Sequence, residues 1–403
     1  MADEVLFLFN HDAPHQVAHI AGIARALYES RTGLTVTCAT ATPAIRDRVA
    51  AILGAEAGRG VTWLDIGLPG WLETALALPN KVAPVRRLMR LRHHAGRINA
   101  ARVVVSAERT CLSIRDDAAH RAGRGARFAY VPHGSGDRMV SFHPDKGGFD
   151  RILVSGAKTA RELVARGVAA PEKIRVVGYP KFDTIDLSRR ERLFENDNPV
   201  FVYNPHFDPL LSSWYDHGPA LLDWFLTREG QAFNIIFAPH IMLFKKKLHV
   251  SLEYRTARLR PDLAPRWHEA ANILIDTGST RLVDMTYTLS ADGYIGDVSS
   301  QIYEFLVHPR PLLFLDVFSD DPRSREGRYP AWDAGEVARD AAGLTALIPG
   351  AQARQEALRP VQEAIFADTV SYESGHPATQ RAAEALVELA GVELAGVELA
   401  ATA

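Results

Sequence analysis

Short apolar runs, each closed by a polar turn and followed by a helical stripe, recur along this chain. After one charged interruption the series starts again. Residues 4–9, EVLFLF, form a near-continuous apolar run, as expected of a strand buried on both faces. Pro14 suits a first helical turn, and Val17, Ile20, Ala21, Ala24 and Leu27 follow at helical spacing. Further strands are expected at Leu34–Cys38, Val61–Asp65, Val103–Ser106, Phe128–Val131, Arg151–Ser155 and Ile174–Val177, with helices at Pro43–Leu53 and Ala157–Arg166. Residues 188–199, SRRERLFENDNP, are charged and aperiodic and read as a boundary. Strands then resume at Val200–Tyr203, Phe233–Ala238, Asn272–Ile275 and Pro311–Asp316, with a helix at Pro219–Leu226. Such alternation predicts an α/β protein with two doubly wound parallel sheets. The expected division is 1–187, 199–350, terminal helices over 351–387 that pack back across the domains, and a flexible tail at 388–403. That tail, VELAGVELAGVELA, repeats every five residues, which matches no heptad.

Composition narrows the class. The 403 residues suffice for two domains, and 47% hydrophobic with 23% charged residues suits a globular protein. A net charge of −2 argues against a general nucleic-acid binder. Cys38 and Cys111 are far apart, lack metal spacing and read as free thiols of a reducing compartment. The opening MADEVLFLFNHD is acidic, with an apolar run too short for a leader, and no run approaches the roughly 18 apolar residues of a membrane span. A cytoplasmic location is expected. Residues 81–102, KVAPVRRLMRLRHHAGRINAAR, are basic without an acid and alternate apolar and cationic groups. They are expected to lie peripherally on the inner face of the membrane, to face an acidic substrate, or to pair with acids elsewhere.

The polar turns share one address, just beyond a strand. They are Asn10-His11-Asp12, Pro132-His133-Gly134-Ser135-Gly136-Asp137, Asn204-Pro205-His206, Pro239-His240 and Asp276-Thr277-Gly278. Ligands of doubly wound domains bind at the carboxyl ends of strands, so the cleft between the two domains is the expected site. G-x-G-x-x-G is absent from the first turn, so no dinucleotide fingerprint is present. The stretch Ala291–Pro311 reads as strand, polar turn and helix, with Ile302, Phe305 and Leu306 at helical spacing. Ser299 and Ser300 at its start either cap the helix or add donors to an anion held there. Glu304 falls outside a capping-box spacing, which leaves it for ribose hydroxyls or solvent.

Three motifs in order, Gly178-Tyr-Pro-Lys-Phe-Asp183, Pro239-His240 and Asp292–Phe305, together with His133-Gly134, resemble the CDP-glycerol glycerophosphotransferase family, the teichoic-acid polymerases and primases. The resemblance covers roughly 128–318 and implies the GT-B fold of two Rossmann-like domains. It implies His133 as catalytic base and His240 at the donor diphosphate. Ser299 and Ser300 would hold phosphate, and Asp297 and Glu304 would organise the nucleotide side. Two departures stand out. The family turn His-Gly-Thr-Pro is His133-Gly134-Ser135-Gly136-Asp137-Arg138 here, and its Asp-Tyr-Ser-Ser is Asp297-Val298-Ser299-Ser300. The first lies where acceptor and transferred group meet.

The chemistry is consistent with the residue types. An imidazole titrates near neutral pH, so His133 suits a general base, and a leaving phosphate can be met by hydroxyls, a helix dipole and imidazoles. No D-x-D-type pair lies among the motifs, so metal-independent transfer without a cofactor is expected. His206, Thr277, Gly278 and Gly134 join the donor set, and His11, Asp12, His15, Asp137 and Arg138 the acceptor side. The expected reaction moves glycerophosphate, or a related group, from a CDP-activated donor to a hydroxyl of a surface polymer or lipid-linked glycan. Rival readings are a glycosyltransferase using a CMP-, UDP- or GDP-linked sugar, an epimerase of nucleotide sugars, and a non-catalytic nucleotide-binding scaffold. The sequence carries no signal of oligomeric state.

Overall fold

The computed structural model describes residues 3–11, 16–77, 79–81, 85–135, 139–321 and 329–392. The chain forms two compact units. The first comprises 1–135, 142–184 and 369–403; the second comprises 136–141 and 185–368.

The first unit is built on seven parallel strands: β1 (Glu4–Phe9), β2 (Thr35–Thr40), β3 (Thr62–Asp65), β4 (Val103–Ser106), β5 (Arg127–Tyr130), β6 (Arg151–Val154) and β7 (Ile174–Val176). Their spatial order is β3-β2-β1-β4-β5-β6-β7. Every residue of β1 is buried, as its continuous apolar sequence requires of a central strand with both faces covered. The order reverses between β1 and β4, where Leu8 pairs with Ser106. Helix Ala18–Glu29 buries Ile20, Ile23, Ala24 and Leu27 against one face. Helix Pro43–Gly60 starts at Thr42, whose hydroxyl accepts the Ile45 N–H at 3.3 Å, and breaks at Gly54 (φ +75°). Helix Ala378–Ala390 returns to this same core, placing Ala382, Leu386 and Leu389 among Val5, Phe7 and Ile20. Burying each such leucine contributes roughly 1.5–3 kcal/mol.

The second unit carries β8 (Val200–Asn204), β9 (Asn234–Phe237), β10 (Leu248–Ser251), β11 (Thr256–Leu259), β12 (Ile273–Ile275), β13 (Gly293–Gly296), β14 (Leu312–Leu315) and β15 (Glu336–Ala338). Six of them form a parallel sheet in the order β12-β9-β8-β13-β14-β15, reversing between β8 and β13. Tyr203, Phe237, Ile295 and Leu313 fill its core with Trp214 and Trp267. In helix Ala351–Thr369 the buried Gln362 donates to the carbonyls of Ala334 (2.8 Å) and Arg310 (3.0 Å).

Three strands were not foreseen. β15 is only three residues long, and β10 and β11 form a separate antiparallel hairpin. In the basic stretch 81–102 several cations pair with acids elsewhere, one of the expected arrangements. It forms helices Val85–His93 and Ala95–Asn99. Arg90 is buried and meets Glu73 at 2.9 Å, Arg86 reaches the same carboxylate at 3.0 Å, and Arg87 reaches Glu108 at 2.7 Å. The acids missing from the stretch itself come from its own unit, so these three cations face protein and do not form a lipid-facing stripe.

Candidate functional site

In the first unit the site is assembled by three neighbouring strands that end side by side. β1 is followed by His11, β4 by Ala107-Glu108, and β5 by His133. This is where the strand order reverses, the place at which such sheets open a crevice. Glu108 is the hub. Arg87 donates to its carboxylate at 2.7 Å, and His11 Nδ1 lies 3.3 Å from the same oxygen. That second approach is a close contact without aligned hydrogen-bond geometry, because neither ring nitrogen of His11 has a hydrogen-bond partner among the described residues. His11 is nonetheless 1% exposed. The two basic neighbours hold the Glu108 carboxyl below its usual range although burial, the largest influence, pushes the other way.

His133 remains accessible at the surface. Its Nδ1 lies 3.3 Å from the Ala107 carbonyl. A carbonyl can only accept, so Nδ1 carries the proton and Nε2 the lone pair. Although the residue is open to solvent on one side, the protein atoms beside the ring lower its pKa from the ordinary imidazole value, chiefly by desolvation; the Ala107 bond and the Glu108 charge oppose this. The turn is anchored one residue beyond Gly134, where Ser135 donates to Ser155 (2.7 Å), which in turn donates to the Thr369 carbonyl (2.9 Å). Lys146, buried over the Tyr130 ring, has its pKa pulled down to about 8 by desolvation and Arg109. Asp12, His15, Asp137 and Arg138 lie outside the described residues.

In the second unit β8 leads into His206-Phe207-Asp208, β9 into Pro239-His240, and β13 into Asp297. The rings of His206, Phe207 and His240 gather with centroids 4.6–5.4 Å apart. His206 Nδ1 accepts the Asp208 N–H at 3.0 Å, and His240 Nδ1 accepts the Met242 N–H at 3.2 Å. Each neutral ring therefore carries its proton on Nε2. The tautomer is opposite to that of His133: Nε2 of His206 and His240 donates, which suits phosphate oxygens.

Asp297, placed by the resemblance on the nucleotide side, is wholly buried. Its Oδ2 accepts the backbone N–H groups of His206 (2.9 Å) and Ser213 (3.1 Å), so it fixes the loop that carries His206. Burial pushes its pKa up to about 7, against those same bonds. The helix after Ser299 and Ser300 is only Gln301–Phe305. So short a helix sums little macrodipole, which weakens that part of the expectation for the two serines. Ser299 is buried and its hydroxyl accepts the Gln301 N–H at 3.2 Å, while Ser300 occupies the cap position without a side-chain bond. Thr277 and Gly278 belong to a turn in which Asp276 accepts the Gly278 N–H at 3.0 Å. Glu304 is 4% exposed, not solvent-facing. It lines a small recess with Arg281, Tyr287, Thr288 and Gln301. Among the described residues no three His, Cys, Asp or Glu side chains gather in a metal-binding set.

Sequence reasoning missed Glu108, Arg87 and Lys146. Glu108 was within reach, for it stands two residues beyond the apolar run Val103–Ser106, at the same strand-end address as the histidines.

No family model matches the chain, and no curated protein matches it. Solved structures do. The wall teichoic acid polymerase TagF soaked with CDPG superposes with a TM-score of 0.59 at 13% identity, over 97% of this chain and 88% of that one. A Staphylococcus aureus MnaA structure with UDP gives 0.60 at 11% identity, covering 98% of each chain. UDP-GlcNAc 2-epimerase from Neisseria meningitidis bound to UDP-GlcNAc gives 0.56 at 11% identity, over 96% and 99%. The chain has the GT-B fold. At these identities the likeness carries the GT-B architecture, with its two parallel sheets, and leaves the chemistry to the residues. No described helix is long and apolar enough to cross a membrane.

Proposed function

We propose that this GT-B protein is a metal-independent transferase. It moves glycerophosphate, or a related group, from a CDP-activated donor to a hydroxyl of a cell-surface polymer or lipid-linked glycan. The observation that carries this reading is the state of His133. Its Nδ1 faces the Ala107 carbonyl, which can only accept, so in the neutral ring Nε2 is the nitrogen left to take a proton. The acceptor hydroxyl gives its proton to that nitrogen, its oxygen forms the new bond to phosphorus, and the P–O bond to CMP breaks with the electron pair leaving on CMP. On the donor side His206 and His240 supply N–H groups for the diphosphate. Ser299 and Ser300 add hydroxyls, Thr277 and Gly278 a turn, and Glu304 a carboxylate for the nucleoside. Gly134 gives the His133 turn its approach. His11, with Asp12, His15, Asp137 and Arg138, belongs to the acceptor side.

A nucleotide-sugar transferase is the second reading, favoured by the equal likeness to structures holding UDP and UDP-GlcNAc. Donor turnover separates the two. CMP released from CDP-glycerol in the presence of a hydroxyl acceptor, and lost at least a hundredfold in His133→Ala, supports the first. Inertness toward CDP-glycerol with turnover of a nucleotide sugar supports the second. Donor binding with no turnover of any donor would leave a scaffold.

A further inference from the structure

The hairpin of β10 and β11 is apolar on the side that should be polar. Leu248 pairs with Leu259 and Val250 with Ala257, which sets these four side chains on one face. Leu248 is 51% exposed, Val250 60%, Leu259 67%, and Leu252 in the connecting turn 87%. The opposite face is the one that packs. His249 is buried and its Nε2 meets the Leu243 carbonyl at 2.8 Å, Ser251 and Tyr254 are buried, and Arg258 lies over Tyr215 and pairs with Asp216. The hairpin is therefore seated by one face and presents the other to solvent. Isolated exposed leucines are ordinary; four large apolar side chains on one short hairpin mark a contact surface.

Charge says what kind of surface it meets. Residues 245–260 read KKKLHVSLEYRTARLR, with six lysines and arginines against Glu253 alone, in a chain whose net charge is −2. Lys245, Lys246, Lys247 and Arg255 are exposed; Lys247 and Arg260 meet Asp262 and Arg258 meets Asp216. An apolar face rimmed by cations matches the boundary of an anionic bilayer, where leucines enter the acyl edge and ammonium groups meet lipid phosphates. A protein partner or a second copy would bury the same leucines without needing the lysine cluster beside them.

We infer that the hairpin Leu248–Leu259 docks this protein on an anionic membrane surface. The lipid contact thus lies in the second unit and not in the 81–102 stretch, where Arg86, Arg87 and Arg90 face protein acids. Docking is independent of the transfer chemistry, and vesicle binding does not read turnover, so either can fail alone.

The test is co-sedimentation of the full chain with phosphatidylcholine vesicles with and without phosphatidylglycerol. The wild type should sediment with the anionic vesicles at low salt, and salt should release it. Leu252→Glu with Leu259→Glu should weaken partitioning at least about tenfold, and Lys245→Gln with Lys246→Gln about fivefold per cation removed. All four sites are exposed, so melting temperatures should match the wild type and exclude misfolding as the cause. Failure of the wild type to bind anionic vesicles, equal binding to neutral ones, or full binding by the leucine variant would each overturn the inference. So would light scattering showing a wild-type dimer that the leucine variant dissolves, without vesicle binding; that result assigns the face to a second copy.

Discussion

Asp297→Asn should remove a pH dependence built into the second unit. The carboxyl is 0% exposed, with two backbone N–H groups on Oδ2 and no hydrogen-bond partner for Oδ1 among the described residues. Its pKa rises from 3.8 to about 7 because burial penalises the charged form more than those bonds favour it. A carboxyl whose folded pKa is raised favours the fold most below its unfolded value, near pH 4. That advantage fades as pH climbs through about 7. Three units at about 1.4 kcal/mol each set a ceiling of about 4 kcal/mol. Asparagine keeps an oxygen for the His206 and Ser213 N–H groups and cannot ionise. The stability difference, variant minus wild type, should therefore grow by about 2–4 kcal/mol between pH 4 and 8. Groups elsewhere titrate equally in both proteins and cancel. Urea unfolding followed by tryptophan fluorescence is weighted toward the right unit, because four of the six tryptophans, Trp214, Trp224, Trp267 and Trp332, lie there and the Trp332 indole donates to the Asp297 backbone carbonyl at 2.9 Å. A difference that stays flat within about 1 kcal/mol over that range would refute the account of Asp297 as a carboxyl strained by burial.

Two other outcomes follow from the first unit. Glu108→Gln removes the charge that raises the His133 pKa. The acid limb of the rate profile should move to lower pH, while turnover falls about ten- to a hundredfold because His11 and Arg87 lose their anchor; a profile that moves up or stays put contradicts the arrangement. Gly178→Ala should cost about 2 kcal/mol or more, seen as a lowered melting temperature, because φ is +87° and a Cβ would stand 2.6 Å from the Ser371 carbonyl oxygen.

Much of the architecture was legible. EVLFLF is buried throughout as β1, and the apolar runs at 103–106 and 151–154 became β4 and β6. Continuous apolar segments have no other stable place in an α/β fold. What escaped notice did so for physical reasons. The hairpin 248–259 alternates apolar and polar residues, but its apolar side faces solvent, so no core could signal it. Glu108 resembles any surface acid until Arg87, from a helix twenty-one positions earlier, and His11, from β1's end, close on it. Asp297 was placed near the nucleotide, yet its burial beneath the His206 loop makes it a positioning group.

The histidines mark the limit most sharply. His133, His206 and His240 each follow a strand, and residue type alone does not separate the base expected at His133 from the phosphate contacts expected at His206 and His240. The backbone separates them. A carbonyl beside Nδ1 makes His133 an acceptor at Nε2, whereas an N–H beside Nδ1 makes His206 and His240 donors there. The proposed transfer needs a proton acceptor for the attacking hydroxyl and hydrogen-bond donors for the leaving oxygens, and the tautomers of His133 and of His206 and His240 match those two demands. Nitrogen-15 shifts of the imidazoles test the division directly: at pH 8, protonated Nδ1 is expected in His133 and protonated Nε2 in the other two. Were all three to share one tautomer, the roles drawn for them would not hold.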